Sequence, residues 1–134
     1  MNKIYLNLPV SDLQRSIDFY AAVGFEVLPQ FKDEHSAGLR LGDITLMILE
    51  NKRFQDFTSK QLIDAHQAVQ AIFAFSMETR QEVDLITRKA LAQGADEPSP
   101  IEDYPFMYGR SFSDPDGHMW GPFYYDENLA KRSQ

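Results

Sequence analysis

The sequence contains no cysteine, which excludes disulfide bonds, thiolate metal sites and a cysteine nucleophile. It has only three histidines, His35, His66 and His118, so an imidazole-rich metal centre would have few ligands to draw on. No apolar run is long enough to span a bilayer. The N-terminus enters a strand-like pattern almost at once, so we expect no signal peptide. We therefore expect a cytoplasmic protein with no membrane partner.

Positive charge is also scarce. The 134 residues include 13 Lys and Arg against 20 Asp and Glu, which gives a net charge of −7. A protein with no excess of cations cannot neutralise many phosphates, so we expect no nucleic-acid partner. The hydrophobic fraction of 43% and the length are those of an ordinary globular chain, and they predict a single domain over residues 1–134.

The sequence does contain an internal repeat, in which one pattern of predicted elements occurs in each half. The first half opens with IYLNLPVSDLQRSIDFYAAVGFEVL and the second with IFAFSMETRQEVDLITRKALAQGADEP. Each opening predicts a short strand, at residues 3–10 and 70–77, followed by an amphipathic helix. Gly24 and Gly94 are typical of helix ends, because glycine accepts the left-handed backbone found there.

Capping-box patterns mark the start of both predicted helices. Ser11 is followed by Gln14, and Thr79 is followed by Glu82, each three residues later. Strand patterns then follow at 25–31, 37–42 and 44–50 in the first half, and at 95–97, 106–113 and 118–125 in the second.

The predicted order is therefore β-α-β-β-β, twice. The two modules cover about 1–58 and 69–128, and the linker between them is predicted to hold a short helix around 59–66. Each module would cover one sheet face with its own helix. The predicted fold class is α+β, with two βαβββ modules in tandem whose curved mixed sheets line a cleft of small-molecule size.

These motifs resemble the vicinal oxygen chelate superfamily, the fold of glyoxalase, bleomycin resistance proteins and extradiol dioxygenases. The resemblance rests on the duplicated pattern, on LPVSDLQRSIDFYAAVGFEV in the first half and on SFSDPDGHMWGPFYYD in the second. It covers nearly the whole chain. It implies the fold and a homodimer, but the superfamily runs several chemistries on one scaffold, so it does not fix an activity.

Enzymes of this family hold a divalent metal through His and Glu side chains. Counting along the two motifs, the resemblance implies ligand positions at Tyr5, Ile72 and Gly121, with a further carboxylate position near Leu46 or Met47. None of these residues is a usual metal ligand. We therefore predict no metal and no cofactor, and a divalent metal only if this register is wrong. We interpret all three histidines as surface residues.

Strand alternation then predicts the residues that line the cleft. Rings offer stacking surface, and small residues leave room for a ligand. On the strand before the Asp114–Gly117 turn, either Tyr108 with Arg110 or Gly109 with Ser111 faces inward, and the sequence leaves this choice open. The predicted ligand-binding residues are Tyr5, Asn7, Met47, Ile72, Ala74, Ser76, Tyr108, Arg110, Met119, Gly121 and Phe123.

Two functions follow from these residues. The first is a protein that binds a small apolar or aromatic molecule without a metal. The second is a metal-dependent lyase or dioxygenase of the glyoxalase I or extradiol dioxygenase type, with ligands that the motifs do not reveal. A third reading is a dimeric scaffold whose own side chains close the cleft. The sequence leaves open whether any catalysis occurs, and whether one chain or two complete the cleft.

Overall fold

In the first half of the chain, four strands form one mixed sheet beside a long helix. The order along the chain is β1 (Tyr5–Val10), α1 (Leu13–Val23), β2 (Glu26–Leu28), β3 (Ser36–Leu41) and β4 (Ile44–Glu50), followed by the short helix α2 (Asn51–Gln55). The strand order in the sheet is β1-β4-β3-β2, with β1 parallel to β4 and the other pairs antiparallel. A predicted βαβββ module is thereby confirmed.

The second half repeats this arrangement with one additional short strand. Its elements are β5 (Ile72–Ser76), α3 (Arg80–Ala92), β6 (Glu102–Tyr104), β7 (Met107–Gly109), β8 (Phe112–Ser113), β9 (Met119–Tyr125) and α4 (Glu127–Arg132). The sheet order is β5-β9-β7-β6, and β8 also pairs with β9. Strand β5 is parallel to β9, as β1 is to β4. The α+β class predicted from the sequence is confirmed.

The computed structural model describes residues 1–132. The chain divides into two compact units, Met1–Asp64 and Ala65–Gln134, and this boundary falls between the two predicted modules. In the first unit, alternate residues of the sheet pack against α1 and are fully or nearly fully buried, among them Leu8, Leu39, Leu46 and Ile48. In the second unit, Phe75, Phe112 and Trp120 are buried with the inner face of α3. We use "distal face" for the side of each sheet turned away from its own long helix.

The predicted caps are confirmed for one helix and wrong by one residue for the other. Thr79 caps α3, with its side chain accepting a hydrogen bond from the Glu82 amide at 3.1 Å. At α1 the cap is Asp12 rather than Ser11, and its carboxylate accepts from the Arg15 amide at 3.1 Å. Ser11 instead accepts a hydrogen bond from the Arg15 guanidinium at 2.8 Å. The Asp12 carboxylate thus caps the helix, and the Ser11 hydroxyl contacts the Arg15 side chain instead.

Several predicted elements are wrong. The strand expected at 25–31 stops at Leu28, because Pro29 begins a 3-10 turn that runs to Phe31. The helix expected around 59–66 is absent from the structure there. Instead, the chain after α2 is held in a loop by the Gln55 side-chain amide, which donates to the Thr58 and Lys60 carbonyls, each at 2.8 Å.

In the second unit, two strand predictions are also wrong. Residues 95–97 form no strand, whereas β6 lies at a stretch that the hydrophobic pattern did not mark, because all three of its residues are exposed. The strand expected at 106–113 is interrupted at Arg110 and Ser111.

The Asp114–Gly117 turn is a firm anchor between β8 and β9. The buried Asp114 carboxylate accepts hydrogen bonds from the amides of Asp116 at 3.0 Å and His118 at 2.8 Å. Gly117 has φ +92°, and a Cβ there would lie 2.7 Å from the backbone of Ala65 and His66. Only glycine fits this close approach, so the turn is set both by its conformation and by its packing.

Among the described residues, no helix is both long and apolar enough to cross a membrane.

Candidate functional site

The predicted residues of the first unit lie together on the distal face of its sheet. Tyr5 is paired with Thr45, and Asn7 with Met47, in the parallel register of β1 and β4. The Asn7 side-chain amide donates to the Tyr5 carbonyl at 3.2 Å. Leu46 is fully buried on the helix side, so of the two residues considered at that position it is Met47 that occupies the distal face.

Phe31 belongs to this surface, although no sequence pattern indicated it. A Cβ placed on Gly38 would lie 2.7 Å from the Phe31 Cβ and 3.2 Å from the Met47 sulfur. Gly38 therefore provides the space in which the Phe31 ring rests on the sheet beside Met47. The nearest sequence signal is Pro29, because proline favours the first position of a helical turn, and the 3-10 turn that begins there carries Phe31.

The second unit brings six of the predicted residues into one patch. The β5–β9 register pairs Ile72 with Met119, Ala74 with Gly121 and Ser76 with Phe123, all on the distal face. Ile72 is 58% exposed, and Ala74 and Ser76 are exposed as well. An exposed isoleucine, small residues and a ring thus form one continuous apolar surface, which we call the β5–β9 surface.

Gly121 lies at the centre of this surface. A Cβ built there would meet Ile72 Cγ2 at 3.6 Å, Ala74 Cα at 3.8 Å and the Arg110 carbonyl oxygen at 3.8 Å. These are ordinary van der Waals distances, so the position would accept a methyl group. Crowding therefore does not require a glycine here, and Gly121 leaves space for a side chain beside Ile72 and Ala74.

Tyr108 and Arg110, in contrast, do not lie on this face, and their prediction as distal residues is corrected. Tyr108 pairs with Tyr124, and its hydroxyl donates to the Asp84 carboxylate on α3 at 2.5 Å. The Arg110 guanidinium donates to both oxygens of Glu97 at 2.8 Å and to Asp84 at 3.1 Å. The alternative pair fits only in part: Gly109 shares the face of Phe123, whereas Ser111 is buried and accepts from the Ser99 amide.

The Arg110 cluster is electrostatically well matched. The Tyr108 hydrogen bond, helped by Arg110, lowers the pKa of Asp84, and the Arg110 hydrogen bond lowers the pKa of Glu97. These carboxylates raise the pKa of Arg110 in return. The guanidinium is only 13% exposed, so the cluster holds a nearly buried cation between two anions on the helix side of the sheet. Its role there is structural.

The three histidines have separate surroundings. His35 Nδ1 lies 3.0 Å from the Glu50 carboxylate, and that hydrogen bond raises the pKa of His35. His66 Nε2 lies 3.1 Å from the Pro115 carbonyl oxygen. His35 and His66 are exposed, as predicted, whereas His118 is partly buried. Within residues 1–132, no group of three or more His, Asp or Glu side chains is arranged to hold a metal ion.

The residues at the metal positions that the resemblance implies do not offer the side chains that a metal would need. Ile72 and Gly121 are neighbours on the β5–β9 surface. The groups around them are methyl, Cα and one backbone carbonyl, and Tyr5 offers only a phenol. A hard or borderline divalent ion would lose its water ligands there without gaining carboxylate or imidazole replacements.

Known proteins share both the sequence pattern and this fold. The family model described as the Glyoxalase/Bleomycin resistance protein/Dioxygenase superfamily matches residues 4–121. A hypothetical protein from S. aureus of known structure is 27% identical, with a TM-score of 0.78, over 92% of this chain and 94% of that one. Nothing similar in sequence is found among functionally curated proteins.

Two further structures share the fold at lower identity. A family enzyme from Burkholderia phytofirmans PsJN is 18% identical, with a TM-score of 0.74, over 90% of this chain and 96% of that one. A fosfomycin resistance protein from Mesorhizobium loti is 17% identical, with a TM-score of 0.70, over 99% and 98% of the two chains. Because the family model spans most of the sequence, the chain belongs to the glyoxalase/bleomycin resistance protein/dioxygenase superfamily.

Proposed function

We propose that this protein binds a small apolar or aromatic molecule on the β5–β9 surface, without a metal ion. The observation that carries the proposal is the exposure of Ile72, at 58%, beside the gap at Gly121 and the ring of Phe123. Burying such a surface is favourable by about 25 cal/mol per Å² of apolar area. An aromatic ligand lying against Phe123 would gain roughly 0.5–1.5 kcal/mol more from ring contact.

The chemistry of the surrounding side chains supports binding over metal catalysis. The implied ligand positions carry a phenol, an isoleucine and a glycine, which offer no imidazole or carboxylate. A polar group that could orient a ligand is nevertheless present, since the Ser76 hydroxyl is exposed at the edge of the surface. Within the superfamily, the bleomycin resistance proteins are the natural precedent for binding without chemistry.

A fragment titration tests the proposal. Single-ring aromatic fragments are added to the ¹⁵N-labelled full chain, and we expect amide shifts centred on residues 72–76 and 119–123. Gly121→Leu should abolish these shifts, because its side chain fills the gap, and Ile72→Ser should weaken them. Leu85→Ser is the matched control, since Leu85 is also exposed, at 47%, but lies on α3. Shifts that survive Gly121→Leu would contradict the proposal.

Metal analysis of the purified protein separates this proposal from the enzyme alternative. We expect no stoichiometric zinc, nickel, manganese or iron, and no rise in Tm on adding these ions, since a ligand of the folded state must stabilise it. One equivalent of metal that is lost in His35→Ala or Glu50→Ala would place the protein among the metal enzymes instead.

We also propose that the protein is a cytoplasmic homodimer. Exposed apolar side chains on the distal face of the first unit, such as Tyr5 at 51%, favour coverage by a second copy. Sedimentation at micromolar concentration tests the dimer, and a monomer there would remove it.

A further inference from the structure

The tip of the β6–β7 hairpin carries a cluster of three aromatic rings. Tyr104 and Phe106 are stacked, with ring centroids 5.6 Å apart and planes 16° apart. Phe106 meets Tyr125 edge to face, with centroids 6.3 Å apart and planes at 85°. Tyr104 and Tyr125 are each 46% exposed, so much of this ring surface is in contact with water. We call these residues, together with Glu102, the hairpin-tip patch.

The sheet holds these rings in place. Tyr104 pairs with Met107, which pairs with Tyr125, so the two tyrosines share the distal face. Phe106 lies in the tight turn between β6 and β7, and its carbonyl accepts a hydrogen bond from the Asp126 amide at 2.7 Å. The three rings therefore belong to residues whose backbone is held by hydrogen bonds of the sheet and its turn.

The charge beside these rings is negative. Glu102 lies on the same face as Tyr104, and a hydrogen bond between their side chains raises the pKa of the tyrosine. The neighbouring cation, Arg80, is already engaged: it pairs with Asp103 at 2.9 Å and donates to the Tyr104 carbonyl at 2.6 Å. Arg80 also lies over the rings of Tyr108 and Tyr124, which belong to the helix side. No strand residue on the distal face of this sheet is Lys or Arg.

We propose that the hairpin-tip patch binds an organic ammonium cation, such as a methylated ammonium group. The faces of aromatic rings carry negative potential and attract cations, and methylated ammonium ions are the ligands that aromatic clusters recognise best. The Glu102 carboxylate adds attraction for a cation and would repel an anion. A neutral apolar group would use the rings but gain nothing from the carboxylate, so the charge next to the rings decides the class of ligand.

The centre of this site lies apart from Gly121, although Phe123 of the β5–β9 surface is two residues from Tyr125 on β9. Tyr125 lies four residues beyond Gly121 on β9, which corresponds to about 13–14 Å along an extended strand. The two proposals can therefore fail independently, because amide shifts at 102–107 and at 72–76 report on different parts of the sheet.

Choline and its neutral analogue 3,3-dimethyl-1-butanol provide the test, because they have nearly the same shape and differ in charge. Each is titrated into the ¹⁵N-labelled full chain. We expect choline to shift the amides of residues 102–107 and 124–126 with millimolar affinity, and the neutral analogue to bind several-fold more weakly. Equal affinities for the two compounds, or no choline-induced shifts at these residues, would overturn the proposal.

Variants then test the two components of the patch. Tyr125→Leu should weaken choline binding about two- to fivefold, the usual effect of one exposed ring. Glu102→Gln should weaken choline binding without changing the binding of the neutral analogue. Phe57→Leu is the matched control, because Phe57 is a ring exposed at 65% in the first unit, and it should leave choline affinity unchanged. Glu102→Gln removes only the charge from an exposed side chain and should not affect folding. Its choline affinity therefore tests the proposal even if Tyr125→Leu unfolds. Unchanged choline affinity in Glu102→Gln would overturn the proposal.

Discussion

Arg110 was predicted to line the cleft, but its side chain lies on the helix side of the sheet. Alternation along a continuous strand 106–113 would have put it on one side or the other with equal ease. The side is decided by Asp84 and Glu97, whose carboxylates accept three hydrogen bonds from the Arg110 guanidinium on the helix side. Partners from distant parts of the chain thus settle a choice of face that the local pattern leaves open.

We predict that Arg110→Met destabilises the fold by about 2–3 kcal/mol at neutral pH, because it leaves two partly buried carboxylates without their cation. The pKa values of Asp84 and Glu97 lie below their ordinary values of 3.8 and 4.5. A lowered carboxyl pKa contributes stability above the ordinary value and loses it as the pH falls through the folded value. The deficit of the variant should therefore shrink below about pH 4. Urea unfolding of both proteins across pH 3–7 measures this.

Arg53→Met serves as the control for that prediction. Arg53 also pairs with a carboxylate, Asp56, at 3.1 Å, but both side chains are largely exposed. Its loss should change stability by less than about 0.5 kcal/mol at any pH in this range. A deficit for Arg110→Met that stays constant down to pH 3 would contradict the assignment of the stabilisation to ionised Asp84 and Glu97.

Ile72 and Gly121 allow a gain-of-function prediction. Their closeness on the β5–β9 surface means that Ile72→His with Gly121→Glu places an imidazole beside a carboxylate. We expect the double variant to bind Zn²⁺ or Ni²⁺ weakly, with a metal-dependent rise in Tm that the unmodified protein lacks. Gly121→Glu alone is the control and should show no such rise. Equal responses of the single and double variants would show that residue 72 does not contribute a ligand.

At the scale of elements, the turns restrict which residues they accept more tightly than the strands that they join. Gly117 combines φ +92° with a Cβ position 2.7 Å from backbone atoms, whereas Gly42 has φ +55° and open space around it. We predict that Gly42→Ala costs about 1 kcal/mol, the penalty of a left-handed residue. Gly117→Ala should cost clearly more, at least about 2 kcal/mol, because the backbone of residues 65–66 must also move. Thermal unfolding of both variants compares them, and equal losses would contradict the packing role of Gly117.

The elements predicted most accurately are those with strong local signals. Both long helices were found from their apolar spacing and capping residues, since their determinants lie within one turn of the chain. The short β6 was missed because its residues Glu102–Tyr104 are exposed and carry no alternating pattern. An edge strand of this kind is formed by its partner β7 rather than by its own composition.

At the scale of the whole molecule, charge sets the classes of partner. With a net charge of −7, we expect no binding to random-sequence duplex DNA at physiological salt, because phosphate neutralisation supplies nearly all non-specific affinity. Fluorescence anisotropy of a labelled duplex measures this, with a basic DNA-binding protein as positive control. A salt-dependent rise in anisotropy would contradict the prediction.

Family membership establishes the fold of this protein but not the reaction, if any, that it carries out. The shared fold with a fosfomycin resistance protein at 17% identity describes the scaffold alone. What this chain does with the scaffold depends on the side chains at positions such as Ile72 and Gly121, which is why the experiments above are directed at those residues.

The sequence by itself determined that a strand followed by a long helix and further strands occurs twice, where the two long helices lie, and the chemistry available at the implied metal positions, because each of these depends on residues close together in the chain. Only the tertiary structure decided that Tyr108 and Arg110 lie on the helix side, that Phe31 covers Gly38 and that three rings meet at the hairpin tip. The physical reason is that strand alternation fixes which residues share a face but not which face turns toward the helix. That choice depends on partners such as Asp84, which lie far away in sequence.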